Sequence, residues 1–290
     1  MDRCLIVSAD DFGLGPRHNE AIGRGIEAGV IRSTGVLGNG PAAAEAAALG
    51  ALAPAVSVGI HFNLTEGAAV SDPAGIPDLV DGEGRFLGPG LAARARRGRL
   101  PRDQVIRELS AQVERLRALG LRLSHWDSHQ HVHMIPSILS AAVEVAGRYG
   151  IRRMRGHRHF LLAVRGRRGL RVGWHLATHP ARLARYAAAR VMMWWARRQG
   201  MTMPDRLVVV GVLDAATKGE RETWQALFRC LPEGISEIHC HPVLPESSSG
   251  QPSPSEAWRH REARLLTDGS LADEARAAGV RLVSFYEIGS

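Results

Sequence analysis

The sequence predicts an α/β protein, a TIM-like (β/α) barrel with room for distortion, and three observations lead there. Eight short apolar runs, each the length of a buried strand, alternate with helical periodicity along the 290 residues. Pro101 and Pro136 stand near helix starts, while Gly29, Gly120 and Gly150 stand just past helix ends. The first strand runs into Asp10-Asp11-Phe12-Gly13-Leu14-Gly15, which lacks the third glycine of a dinucleotide-binding turn. A doubly wound open sheet is therefore the second choice. The expectation is one barrel domain over 1–290.

In chain order, Cys4–Ala9 is the first strand, and Arg17–Ala28, closed by Gly29, the first helix. Strands at Ser33–Leu37 and Ser57–Phe62 flank a helix at Ala42–Leu52. Glu66–Gly98, with many Gly, Pro and Asp, reads as a long loop of the kind that often serves function. A helix at Arg102–Leu119, a strand at Leu121–Asp127, a helix at Ile135–Tyr149 and a strand at Ile151–Arg155 follow. The last strands are Arg206–Gly211, Ile235–Cys240 and Arg281–Phe285, with helices at Pro180–Gln199, Arg221–Cys230, Ser255–Thr267 and Leu271–Ala278. Pro245–Pro254, rich in Ser and Pro, reads as a loop.

One stretch breaks the alternation. Residues 157–204 form an extra helical insertion with many arginines and with Trp174, Trp194 and Trp195. On its helix Arg190 falls on the side of Leu183, Ala187 and Trp194. Arginine stems covering apolar neighbours account for this most simply. The sharper alternative is a basic, Trp-bearing face that makes peripheral contact with a membrane.

Composition narrows the function classes. Apolar residues make up 45% and charged residues 23%, a soluble globular balance. The net charge of +8 would suit a nucleic-acid binder, but Lys218 is the single lysine and the arginines are spread over helices. Coding bias explains that skew better than phosphate binding, so no nucleic-acid partner is expected. Attraction to anionic surfaces stays open. Cys4, Cys230 and Cys240 are too few for a disulfide framework or a structural zinc site. With a strand beginning near the N-terminus and no apolar run approaching the ~20 residues of a membrane helix, a cytoplasmic location is the default.

The candidate chemistry collects at one end of the strands. Asp10 and Asp11 follow strand one, His61 closes strand three, His129 follows strand four and His241 follows strand seven. In a (β/α) barrel all fall on the C-terminal rim, where barrel active sites are built. Adjacent carboxylates beside a core need compensation, and a divalent cation is the simplest candidate. A carboxylate with two imidazoles would leave positions open for water, as a catalytic metal requires. Singly, each piece has an ordinary explanation: Asp10-Asp11 could cap a helix and His61 could be a hydrogen-bonded core histidine. The run His129, His131, His133 is more specific, and alternation would turn all three to one side, with His129 flanked by supporting or substrate-facing neighbours such as His131.

Four segments in order carry a family resemblance. Leu5-Ile6-Val7-Ser8-Ala9-Asp10-Asp11-Phe12-Gly13, Gly59-Ile60-His61-Phe62-Asn63-Leu64-Thr65, Asp127-Ser128-His129-Gln130-His131-Val132-His133 and Cys240-His241-Pro242 resemble the carbohydrate deacetylases of the YdjC type. That group includes chitooligosaccharide deacetylase and the deacetylase of hopanoid biosynthesis. The resemblance implies a distorted barrel that removes acetyl from an N-acetylated sugar, free or lipid-linked. It implies that Asp11, His61 and His129 hold one divalent ion, with Asp10 as general base and His241 as general acid. It also implies that Arg155 orients Asp10 or the substrate and that Asp127 supports the ligands. Magnesium is the ion the resemblance implies, whereas the donor types alone suit zinc, manganese, cobalt or nickel. Another metal hydrolase on the same barrel, such as a phosphoesterase, and a non-catalytic polyanion or membrane-surface binder are the alternatives. A homo-oligomer is compatible with all three.

Overall fold

The computed structural model describes residues 2–52, 55–161, 180–210, 219–246 and 253–289. Part of the arginine-rich insertion, including Trp174, the end of the sixth expected strand at Gly211 and most of the Ser/Pro loop lie outside the described residues.

The organising element is β1 (Arg3–Phe12), buried from Cys4 onward. Its parallel neighbours are β8 (Gly234–Cys240) along Arg3–Ala9, β2 (Ser33–Val36) at its C-terminal end and β9 (Val280–Leu282) at its N-terminal end. From β2 the sheet continues to β3 (Ser57–Phe62), β4 (His125–Ser128) and β5 (Arg153–Met154). From β8 it continues to β7 (Arg206–Val209) and β6 (His159–Leu161). The order β5-β4-β3-β2-β1-β8-β7-β6 is wholly parallel in its ladders, and no ladder joins β5 to β6 among the described residues. This is the distorted barrel that the sequence predicts, left open on one side.

Helices α1 (Pro16–Glu27), α3 (Arg102–Ala118) and α4 (Pro136–Arg148) return the chain between strands of the first half. The short α2 (Gly90–Arg96) lies in the long loop. Helices α5 (Pro180–Arg198), α6 (Arg221–Cys230), α7 (Pro254–Leu266) and α8 (Ser270–Ala277) serve the second half. Their apolar stripes meet the strands in one large core that includes Leu5, Val7, Ile22, Ile60, Leu109, Trp126, Leu139, Val208 and Leu227.

Four expectations need correction. The insertion is not purely helical, because His159–Leu161 pairs with β7 as a barrel strand. The expected strand at Leu121–Asp127 is regular only from His125. Ala43–Leu52 winds as a 3-10 rather than an α-helix, the Ala42 carbonyl being shared between Asn19 Nδ2 at 3.1 Å and the Glu45 N–H at 3.2 Å. Local tertiary bonds there override the helix propensity of alanine. Finally, the arginines of α5 cover their neighbours only in part: the Arg198 guanidinium lies over the Trp194 ring, yet Leu183, Val191 and Trp194 remain exposed.

Candidate active site

Strand β1 ends in a bulge. Its register to β2 shifts between Ala9 and Phe12, and Asp11 sits in the left-handed region at φ 68°. Adjacent residues of a regular strand face opposite ways. The bulge breaks that alternation, so Asp10 and Asp11 both turn into one buried cluster. A non-glycine residue there costs about 1–3 kcal/mol, and such strain collects at functional sites.

Asp11 meets two histidines. Its Oδ1 lies 2.7 Å from His129 Nδ1 and 3.5 Å from His61 Nε2, and donor atoms of the three buried residues lie within 4.8 Å of one another. The other nitrogen of His61 bonds Asp127 Oδ1 at 2.6 Å, a partnership set by sheet register, since His61 and Asp127 are paired residues of β3 and β4. A Cβ on Gly35 would stand 3.1 Å from His61 Cβ and 3.2 Å from Asp127 Oδ1, so any larger residue there would crowd that pair by a few tenths of an ångström.

Asp10 faces a guanidinium. Arg155 grips both its oxygens, Nη1 at 2.8 Å and Nη2 at 2.7 Å, and also pairs with Asp127 and, through Nε at 2.6 Å, with Glu237. All four residues are buried. His241, partly exposed at the rim, points Nε2 at Asp10 Oδ2 from 3.7 Å.

The electrostatics favour a cation. Asp10, Asp127 and Glu237 surround Arg155, the one buried arginine among the described residues, and Asp11 is buried in the same cluster. Burial opposes charge on His61, but Asp127 and Asp10 outweigh it and raise its pKa to about 10. Burial likewise pushes Asp11 up, yet hydrogen bonds from His129 and His61 hold it well below the carboxylate range. One carboxylate and two imidazoles so arranged fit a divalent ion of the zinc, manganese, cobalt or nickel type.

The histidine run does not alternate. Gln130 and His131 both have positive φ, 52° and 53°, inside a kinked 3-10 turn over His129–Met134. His129 alone turns to Asp11. His131 packs edge-on against His133, His157 and His239, away from the three converging donors. His133 bonds Ser128 at 2.5 Å and His157 at 2.9 Å.

These histidines make a stability prediction. Burial lowers the pKa of His125, His131 and His133 to about 3 and that of His157 well below 6.5. The unfolded chain takes up these protons near pH 6.5 while the folded chain refuses them. Stability is thus present above 6.5 and lost as pH falls, each histidine contributing about 1.4 kcal/mol per pH unit. Glu237, its pKa raised by burial to about 7, opposes this by one proton, whereas His61 is protonated in both states below 6.5 and changes nothing in that window. Denaturant midpoints of the metal-free protein should fall steadily from pH 7 to about 5, and a flat profile would refute this accounting.

Glu237 and Glu66 escape the sequence reading. A lone carboxylate within the apolar run Ile235–Cys240 was a usable signal for Glu237. Glu66, on the long loop, reaches His129 Nε2 at 3.3 Å and accepts from Gln130 at 2.5 Å, with no local signal.

An open (β/α) barrel with an Asp-His-His cluster and an arginine-held aspartate on its C-terminal rim defines the class: a rim-site barrel with a candidate metal centre. The family model described as YdjC-like protein matches residues 4–277, and the chain belongs to that family. It is 31% identical over 292 residues to a carbohydrate deacetylase of Geobacillus stearothermophilus, covering 99% of this chain and 98% of the relative. It is 41% identical over 152 residues to the chitooligosaccharide deacetylase of Enterobacter sp. (strain 638), over 52% of this chain and 58% of that one. A crystal structure from Enterococcus faecalis V583, provisionally described as a cellobiose-phosphate cleavage protein, superposes with TM-score 0.72 at 25% identity, covering 99% and 98% of the two chains.

Proposed function

We propose that the protein is a metal-dependent carbohydrate deacetylase, hydrolysing the N-acetyl group of an N-acetylglucosamine-containing saccharide, either a chitooligosaccharide or a lipid-linked amino sugar. The observation that carries this is the juxtaposition, on one rim, of the Asp11–His61–His129 cluster with Asp10 and His241. The full-length likeness to a carbohydrate deacetylase supports the same substrate class.

Asp11, His61 through Nε2 and His129 through Nδ1 would hold the ion. When bound, the ion supplies Lewis acidity that eases attack of water on an otherwise unreactive amide carbonyl. Asp10, fixed at both oxygens by Arg155, accepts the proton of the attacking water as its oxygen bonds to the carbonyl carbon. His241 donates a proton to the amide nitrogen as the C–N bond breaks, releasing acetate and a free amine. Asp127 holds the His61 ring so that Nε2 faces Asp11, and Glu237 anchors Arg155 from behind.

Acetate release from N,N′-diacetylchitobiose and from an N-acetylglucosaminyl lipid, each with and without chelator, tests the proposal. Chelator-sensitive release from either supports it, whereas turnover of phosphate esters alone would transfer the site to phosphoesterase chemistry. Asp127→Asn is expected to weaken metal affinity about 10–100-fold, read by equilibrium dialysis, because it removes the carboxylate behind a ligating histidine. Unchanged affinity would remove Asp127 from that role.

A further inference from the structure

Among the described residues, three large apolar side chains stand exposed, and all three lie on α5: Leu183 at 50%, Val191 at 65% and Trp194 at 57%. With Ala187 they fall within about 80° of arc on a helical projection, opposite the buried Ala189, Met193 and Ala196. The helix sequence contains five arginines and no carboxylate. Arg190, Arg197 and Arg198 are exposed, and the Arg198 guanidinium sits 4.7 Å from the centre of the Trp194 ring.

Helix propensity does not require an apolar stripe in water, and such stripes mark contact surfaces. Chemistry selects the occupant. A nucleic-acid backbone would match the arginines but offer nothing to Leu183 and Val191. A second copy docked face to face would oppose ten guanidiniums with no carboxylate on either helix. An anionic lipid surface satisfies both features: the apolar chains enter the acyl boundary, the indole sits at the interface, and the guanidiniums reach phosphates. We propose that the outer face of α5 docks the protein on an anionic lipid surface. The inner side of the same helix, through Tyr186, Ala189 and Met192, borders a cavity of about 480 Å³ together with His131, His157 and His159. The helix that docks on the lipid thus also walls this cavity on its other side.

The test is independent of the reaction. The full chain is sedimented with vesicles of phosphatidylcholine alone and of phosphatidylcholine mixed with phosphatidylglycerol. Binding is expected only to the mixed vesicles and should weaken as salt rises. Val191→Glu should reduce partitioning about tenfold and Arg190→Gln about fivefold, with thermal midpoints unchanged since both side chains are exposed. Brominated lipid should quench tryptophan emission in the parent and less so in Trp194→Phe. Equal binding to both vesicle types, no binding at low salt, or an unaffected Val191→Glu variant would overturn the proposal. A dimer in sedimentation that Val191→Glu abolishes, without vesicle binding, would assign the face to a second copy instead.

Discussion

Replacing His129 or His61 by alanine is expected to strip the bound divalent ion and abolish deacetylation. Each side chain supplies one of three donors, and neither has a described substitute within the cluster around Asp11. Lewis-acid assistance is worth several kcal/mol, so the turnover lost is on the order of 10³-fold or more. Metal content by elemental analysis is the direct readout. Asp11→Asn is the informative companion, because asparagine tolerates the left-handed backbone at this position while removing the charge. It should fold normally and still lose the ion. A full metal complement in His129→Ala would end the ligand assignment.

Asp10→Asn is expected to separate chemistry from metal binding. Asp10 lies outside the Asp11–His61–His129 group, with both oxygens on Arg155. The amide retains one acceptor for the guanidinium, and Arg155 keeps Asp127 and Glu237, so the buried network should survive. What disappears is the proposed proton acceptor, for which a loss of about 10²–10⁴-fold in kcat is expected at unchanged metal content. Loss of metal together with activity would mean that Asp10 is itself a ligand. That outcome has a structural basis to be tested, since Asp10, His61 and Asp127 form a second convergent group.

Much of the architecture was legible because strand and helix periods leave different marks on a sequence. Even without knowing how the barrel closes, an alternating chain puts every strand end on one rim, so Asp10, Asp11, His61, His129 and His241 could be grouped in advance. Strand β6 was not legible. His159–Leu161 is three residues long, too short for a period to register, and its identity as a strand comes from pairing with β7. The histidine run misled for a related reason: spacing of two implies alternation only in extended backbone, and Gln130 and His131 leave that region.

The sequence by itself determined the donor inventory, the parallel α/β class and the end of the strands at which chemistry would gather. It could not determine which carboxylate faces which partner. Tertiary structure decided that, by bending β1 at Asp11 so that neighbouring side chains serve one site. His129 then reaches Asp11 across 118 residues and Arg155 reaches Asp10 across 145. Tertiary structure also placed Glu237 behind Arg155 and left the apolar stripe of α5 in water. The physical reason is common to all of these. Periodicity and turn chemistry are local and can be read along the chain, whereas side-chain direction at a strand end follows backbone kinks held by contacts between residues far apart in it.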